Sequence, residues 1–202
     1  MAQTVTFSGG AFNITDTPNP GTQALSYAPS DFNSSSGAPS YAFKNSNNST
    51  IVGLGFQDNS PSGLNLTVSS RSAFSVQDST FSFGDAKDTL LIGSSKDSQY
   101  FMGNGNNEVT ISYRSQNDVI NFGTGADTLT FGGSVNKTLV QLTTDSSVDT
   151  IKMSDQTKYT NLRITGATDI DVLFIGSTQY QYSSASNLWV NTANPGDTKN
   201  FS

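Results

Sequence analysis

Short apolar-x-apolar triplets recur along the middle of the chain at an almost constant spacing, and this regularity constrains the fold more than any other feature. The two apolar side chains of a triplet lie on one face of a short β-strand, because successive strand residues point to opposite faces. The first positions of successive triplets are 9 to 11 residues apart. The triplets are Phe81-x-Phe83, Leu90-x-Ile92, Tyr100-x-Met102, Val109-x-Ile111, Ile120-x-Phe122, Leu129-x-Phe131, Val140-x-Leu142, Ile151-x-Met153, Leu162-x-Ile164 and Leu173-x-Ile175.

The composition of the chain agrees with strands and turns and argues against a helical protein. The 202 residues include 31 Ser, 24 Thr and 19 Asn but a single Glu, and only 13% of them are charged. Ser, Thr, Asn and Gly favour turns and caps, whereas helix surfaces are usually built from Glu, Lys, Arg and Ala. We therefore predict an all-β protein.

The turns between the triplets distinguish two architectures that a strand every ten residues allows. The turns that begin at Gly84, Gly103 and Gly123 are near copies of one another and recur every 19 to 20 residues. The turns between them have a looser sequence and lie at 93–97, 112–118 and 132–136. Two alternating turn classes indicate a parallel β-solenoid, of the β-roll or β-helix kind, with two strands and about 20 residues per coil. An antiparallel β-sandwich is the alternative.

One turn and the strand after it resemble the glycine- and aspartate-rich nonapeptide repeat of RTX-type calcium-binding β-rolls, G-G-x-G-x-D-x-U-x. Gly123, Gly125, Asp127 and Leu129 match this pattern, whereas Phe122 replaces its first glycine. The two preceding coils match it in part, so that the resemblance covers about residues 83–133. It implies a two-sided parallel roll that holds Ca²⁺ between successive turns.

The aspartate place of this repeat is filled by Asp88, Asn107 and Asp127 in three successive coils, and these are our candidate metal ligands. Their side-chain oxygens are of the kind that Ca²⁺ prefers, and the resemblance implies that ion. The alternative is that the same side chains cap tight turns, with Asn107 stacked in a column of such residues. Beyond a possible Ca²⁺, we expect no cofactor.

The absence of His and Cys excludes most catalytic and metal chemistry. Ser-His-Asp triads, Cys-His pairs, zinc fingers and disulfides all need one of these residues. Paired carboxylates leave open a carbohydrate-active β-helix enzyme, but no Lys or Arg recurs beside them. We therefore expect no enzymatic activity. The pairs are Asp85/Asp88, Asp145/Asp149 and Asp169/Asp171.

The charge and hydropathy of the chain bear on its partners. The net charge is −6, and the only three Arg form no basic cluster that could neutralise phosphates, so we expect no nucleic acid. No stretch approaches the 18 apolar residues or more of a transmembrane helix, so we expect no membrane span. The first seven residues lack the basic and apolar pattern of a secretory signal peptide, and we expect none.

Both ends of the array are expected to carry caps, because the bare end of a solenoid would pair with other strands. We predict an N-terminal capping or docking segment at 1–49 and the solenoid itself at 50–176. A C-terminal hairpin cap and tail are predicted at 177–202, where Tyr180 and Trp189 would cover the last coil.

These observations favour a non-enzymatic structural protein of an extracellular particle. The chain looks like a phage virion-surface protein: a capsid decoration or cement protein, a fibre, or a tail-associated subunit. Such a protein would be assembled in the host cytoplasm, form a homo-oligomer and contact other virion or surface-layer subunits. One alternative is a calcium-stabilised RTX-like protein that is secreted or held at the cell surface, and another is the carbohydrate-active β-helix enzyme.

Overall fold

The computed structural model describes most of the chain from residue 55 onwards. Side chains are described at 55–56, 63–68 and 75–202, and the backbone alone at 4–8, 11–15, 32–33, 40–44, 51–52, 57–58 and 69. No helix occurs in this part of the chain, and hence none that is long and apolar enough to cross a membrane.

The described residues form 23 strands, most of them short. In chain order they are β1 (Thr4–Ser8), β2 (Ala11–Thr15), β3 (Phe32–Asn33), β4 (Ser40–Lys44), β5 (Ile51–Val52), β6 (Gly55–Asp58), β7 (Asn65–Ser69), β8 (Val76–Gln77), β9 (Thr80–Ser82), β10 (Thr89–Lys96), β11 (Gln99–Phe101), β12 (Glu108–Gln116), β13 (Val119–Asn121), β14 (Thr128–Phe131), β15 (Ser134–Asn136), β16 (Leu139–Gln141), β17 (Thr150–Met153), β18 (Tyr159–Thr160), β19 (Arg163–Thr165), β20 (Val172–Ile175), β21 (Thr178–Ser183), β22 (Leu188–Asn191) and β23 (Thr198–Lys199).

The strands wind into a parallel β-solenoid of about five turns, each roughly 20 residues long. Sheet A has eight strands in the order β19-β16-β13-β11-β9-β6-β1-β2, and sheet B has 15 strands, whose main path runs β23-β22-β21-β20-β17-β14-β12-β10-β7-β4-β3. From β6 to β20 each strand pairs in parallel with its counterpart one coil away, as Leu129 does with Val109 and Ile151. The predicted solenoid is confirmed, and the antiparallel sandwich is excluded.

Each complete coil contains three strand segments, whereas the sequence predicted two. The looser turns at 93–97, 112–118 and 132–136 contain a third parallel ladder, which is part of sheet B. In this ladder Ser95 pairs with Ser115 and Ser115 with Val135. The prediction of a simple turn was wrong here because the inward side chains include the buried serines Ser95 and Ser115, which give no apolar signal.

The core is a column of the predicted apolar pairs, which point into the solenoid from both sheets. Every predicted triplet residue is buried except Ile175, which is partly buried and packs against the core. Aromatic rings continue from coil to coil: the Phe81 and Tyr100 rings stack at 5.3 Å, and the Phe56 and Phe81 centroids are 5.8 Å apart. Each coil therefore stabilises its neighbours by direct side-chain contact.

One corner of the coil is made by a non-glycine residue in the left-handed backbone region. It recurs just before the strands of sheet A, with φ between 49° and 53°. A single left-handed residue turns the chain sharply, and Asp and Asn tolerate this conformation better than most residues. The corner residues are Asp78, Asp97, Asn117, Lys137 and Asn161.

Antiparallel strands end the parallel stack on both sides. At one end β2 reverses against β1, and β3 against β4, while β1 and β4 pair in parallel with β6 and β7. Parallel pairing thus begins before residue 50, the boundary that the sequence predicts. At the other end β21, β22 and β23 add antiparallel strands to sheet B beyond β20.

Candidate functional site

Five buried Asp and Asn side chains form a continuous column along one edge of the solenoid, which we call the Asx column. The side-chain Oδ1 of each member accepts a hydrogen bond from the backbone N–H of the member one coil before it, at 2.8–2.9 Å. At the start of the column Oδ1 of Asp88 accepts from the N–H of Leu64 at 2.6 Å. Every member is at most 2% exposed. The members are Asp88, Asn107, Asp127, Asp149 and Asp171.

The sequence builds this column through the position of each member relative to the next strand. Each Asp or Asn comes two residues before the first inward apolar residue of sheet B, as Asp127 does before Leu129. In the best-matching turns, glycine lets successive coils approach closely. Gly103 has φ of +68°, and a Cβ there would collide with the carbonyl oxygen of Gly84 in the preceding coil. The turn therefore requires glycine for both conformation and space.

Asn107 and Asp127 differ in the hydrogen bonding of the terminal atom that does not face the neighbouring coil, which is Nδ2 in Asn107 and Oδ2 in Asp127. Nδ2 of Asn107 points back into its own turn and donates to the carbonyl oxygens of Gly103, Asn104 and Gly105 at 3.2–3.4 Å. Oδ2 of Asp127 is buried and accepts no hydrogen bond from the described residues. A buried oxygen without a donor is costly, and more so when it is charged.

Two carboxyls of the column, those of Asp127 and Asp149, hold their protons more tightly than ordinary aspartates. Burial raises the pKa of Asp127 to about 7, although the hydrogen bond from the backbone N–H of Asn107 opposes the rise. Burial raises the pKa of Asp149 to about 7 as well, and the charges of Asp171, Asp127 and Asp145 add to the effect. Near neutral pH these stacked groups are therefore divided between the acid and the carboxylate.

The structure places the three predicted metal ligands in one column, but it does not gather them around a shared point. Oδ1 of Asp88, Asn107 and Asp127 each face a backbone N–H, and Asn107 directs a nitrogen towards its turn carbonyls. No group of three or more His, Cys, Asp or Glu in the described ranges is arranged to hold a metal ion. This geometry fits a hydrogen-bonded column better than a calcium cage of six to eight oxygens. Calcium binding stays a prediction, and Oδ2 of Asp127 is the ligand atom that suits it best.

Each of the three carboxylate pairs seen in the sequence has one buried member and one that is partly or fully exposed. One member of each pair belongs to the Asx column, and the other lies in the outer part of the turn. Asp85 accepts from Nδ2 of Asn104, Asp145 from the N–H of Gly125, and Asp169 from the N–H of Ser184. Hydrogen bonds from these backbone groups lower the pKa of Asp145 and of Asp169. All three outer carboxylates thus tie a turn to another segment.

A further buried carboxyl, that of Asp118, lies outside the Asx column and was not singled out by the sequence. It accepts hydrogen bonds from Oγ of Ser95 at 2.9 Å, Oγ of Ser115 at 2.6 Å, and the backbone N–H groups of Ser98 and Gln116 at 3.0 and 3.1 Å. Burial raises its pKa to about 6 against the effect of these donors, Ser115 foremost. We call Asp118 and the residues that donate to it the hydroxyl cluster. The regular spacing of Val76, Ser95, Ser115 and Val135, which lie 19 or 20 residues apart along one ladder, was the signal that could have found it.

The hydroxyl cluster extends across three coils. Oγ of Ser95 also lies 2.5 Å from the Tyr100 hydroxyl, and Oγ of Ser115 lies 2.9 Å from Oγ1 of Thr138. Burial and the charge of Asp118 raise the pKa of Tyr100 well above its ordinary value. All these side chains are buried, so the cluster joins coils from the inside and presents no group to a substrate in solution.

Comparison with protein-family models, with curated proteins and with solved structures finds no match to this chain.

Proposed function

We propose that this chain is a non-enzymatic structural protein of an extracellular particle, most simply a surface component of a bacteriophage virion. The roles that fit are capsid decoration or cement, fibre, and tail-associated subunit, with assembly in the host cytoplasm. The observation that carries the proposal is the Asx column, which joins every coil from Leu64 to Asp171 by a buried side-chain hydrogen bond. A column of this kind makes a rigid and cooperative rod.

The polar chemistry of the described residues supports a scaffold in the same way. The column, the outer turn carboxylates and Asp118 are all engaged in bonds between or within turns. Residues that point outward on sheet B include four threonines, Thr110, Thr128, Thr130 and Thr150, in register with the charged Glu108 and Lys152. A surface of this type suits a protein that must remain folded outside the cell, in contact with other subunits and with further copies of itself.

The proposal is tested on particles from a lysed culture of the organism that encodes the chain. Particles are separated on a density gradient, and peptides of this chain are quantified by mass spectrometry across all fractions. We expect them to follow the particle band in a fixed ratio to its most abundant protein. Recovery only at the top of the gradient, with soluble proteins, would contradict the proposal.

A second candidate function is a calcium-stabilised protein that is secreted or held at the cell surface. The observation that favours it is Oδ2 of Asp127, which is buried and lacks a hydrogen-bond donor among the described residues. A cation there would neutralise the carboxylate and could also contact the carbonyl oxygens of its turn.

Melting temperatures with millimolar calcium and with chelator test this candidate. If this candidate is right, calcium raises the melting temperature of the natural chain and leaves that of Asp127→Asn unchanged. Asp85→Asn serves as the control because Asp85 is exposed on the same edge, and it should keep the calcium response. Equal melting temperatures of the natural chain in calcium and in chelator would remove the calcium role.

A further inference from the structure

Asn104 is the only asparagine of the chain that is followed by glycine. In such a pair the backbone nitrogen of the glycine can attack Cγ of the asparagine, because glycine has no side chain to obstruct the approach. The new N–C bond closes a succinimide ring, and the side-chain nitrogen leaves as ammonia. Water then opens the ring to aspartate or to isoaspartate, in which the main chain runs through the former side chain. Asn104 is exposed, so water reaches it.

The coils on either side of Asn104 hold its side-chain amide. Nδ2 of Asn104 donates to Oδ1 of Asp85 in the preceding coil at 2.9 Å. Oδ1 of Asn104 accepts from the backbone N–H and from Oγ1 of Thr124 in the next coil, both at 3.0 Å. The amide is therefore fixed between two coils and is not free to turn towards the nitrogen of Gly105.

The attacking nitrogen is held in the same way. The N–H of Gly105 donates to the carbonyl oxygen of Thr124 at 2.8 Å. To attack Cγ, this nitrogen must lose its proton and leave that hydrogen bond. Because Thr124 belongs to the next coil and also holds the amide oxygen, the reaction requires the coils of Asn104 and Thr124 to separate.

We propose that Asn104–Gly105 is a deamidation site that the folded solenoid keeps unreactive, and that separation of these two coils converts it irreversibly. The inference is independent of any role in a particle. It makes the turn a covalent record of coil opening, since the ammonia that leaves does not return.

Neither product fits back into the closed stack. Isoaspartate adds a main-chain carbon beside Gly105, where even a Cβ would lie 2.6 Å from the carbonyl oxygen of Ala86 in the preceding coil. Aspartate replaces Nδ2 of Asn104 by an oxygen that faces Oδ1 of Asp85 at the distance of the former hydrogen bond. That contact then loses its donor and brings two negative charges together. A converted coil should therefore pair more weakly with its neighbours.

The experiment measures conversion at Asn104 in the full chain at pH 8, in native buffer and in unfolding urea. Mass spectrometry of the peptide that contains Asn104 detects the exchange of ammonia for water. Gly123→Ala is the variant that separates the coils, because its Cβ would lie 2.7 Å from Oδ1 of Asn104. Gly196→Ala is the matched control, since the nearest atom to its Cβ would be 3.5 Å away. The comparison of buffer with urea needs no variant, so it holds even where Gly123→Ala fails to fold.

We expect the natural chain to convert more than about tenfold faster in urea than in buffer, because closed coils open only transiently. In buffer, Gly123→Ala should convert faster than the natural chain, and Gly196→Ala should match it. Chains converted in urea and returned to buffer should melt at a lower temperature than unconverted chains refolded beside them. Equal rates in buffer and urea, or converted chains that regain the natural melting temperature, would overturn the proposal.

Discussion

The backbone N–H of Asp127 donates a 2.9 Å hydrogen bond to Oδ1 of Asp149 in the next coil. The same contact stacks two buried carboxyl groups, each with a pKa of about 7, directly above one another. The hydrogen bond joins the coils, while two negative charges in this position would push them apart. The protonation state of the column therefore decides how much it stabilises the fold.

The first prediction concerns how the free energy of unfolding changes with pH. The folded pKa values of Asp127 and Asp149, about 7, lie above their ordinary value of 3.8, so the folded chain binds more protons than the unfolded chain between these limits. The stability that these extra protons contribute to the folded chain is fully present below about pH 4, and it is lost as pH rises through 7. At about 1.4 kcal/mol per pKa unit, we expect urea unfolding to show a free energy a few kcal/mol higher at pH 5 than at pH 8.

The other carboxyls with a shifted pKa among the described residues do not reverse this trend. Asp118, with a pKa of about 6, changes stability in the same direction, and the lowered pKa values of Asp145 and Asp169 act below 3.8. The double variant Asp127→Asn, Asp149→Asn should flatten most of the slope between pH 5 and 8, whereas Asp85→Asn should keep it. If the double variant retains the full slope, the column is not its source.

The second prediction replaces the one asparagine of the Asx column by an aspartate. Asn107→Asp removes a donor to three turn carbonyls and adds a fifth carboxyl to the column, between Asp88 and Asp127. We expect it to lower the free energy of unfolding at pH 8 by about 1–3 kcal/mol, and by less at pH 5, where the new group is protonated. Paired urea titrations at the two pH values measure this. An equal loss at both would show that charge plays no part.

The third prediction tests the close approach of successive coils. Gly103→Ala forces an L-residue into φ of +68° and brings its Cβ into the Gly84 carbonyl oxygen. We expect a loss of about 1–3 kcal/mol from the backbone strain alone, and more from the collision. Gly196→Ala is the matched control, because the nearest atom to its Cβ would be 3.5 Å away. The midpoints of thermal unfolding of the two variants should differ clearly; similar midpoints would argue against close coil contact at Gly103.

The solenoid and its inward pairs could be predicted because hydrophobic burial leaves a period in the sequence. Leu129 and Phe131 are apolar since they face the core, and their counterparts in the other coils must be apolar as well. Ser95 and Ser115 face inward without such a signal, because hydrogen bonds to Asp118 satisfy them. The third strand ladder was hidden for that reason.

Only those members of the Asx column that follow glycine-containing turns could be predicted from the sequence. Asp88, Asn107 and Asp127 follow glycine-containing turns and are 19 and 20 residues apart. Asp149 and Asp171 follow longer turns of another sequence, at a spacing of 22 residues, and the sequence showed them only as members of carboxylate pairs. The strand after each turn preserves the column, since an in-register parallel ladder fixes where each turn ends.

The last prediction concerns the hydroxyl cluster. Asp118→Asn replaces one of the two accepting oxygens by an amide nitrogen, which cannot accept a hydrogen bond. In one orientation of the amide, Oγ of Ser115 and the N–H of Gln116 lose their acceptor. In the other orientation, Oγ of Ser95 and the N–H of Ser98 lose theirs. We expect a loss of about 1–3 kcal/mol in urea unfolding at pH 8, since buried donors lose their acceptor. Ser115→Ala should destabilise the chain as well, while Ser186→Ala, at an exposed position, should have little effect. The double variant Asp118→Asn, Ser115→Ala should lose less free energy of unfolding than the two single variants lose together, because Ser115 and Asp118 share one hydrogen bond. Strict additivity would mean that the 2.6 Å contact between them adds nothing to the stability of the fold.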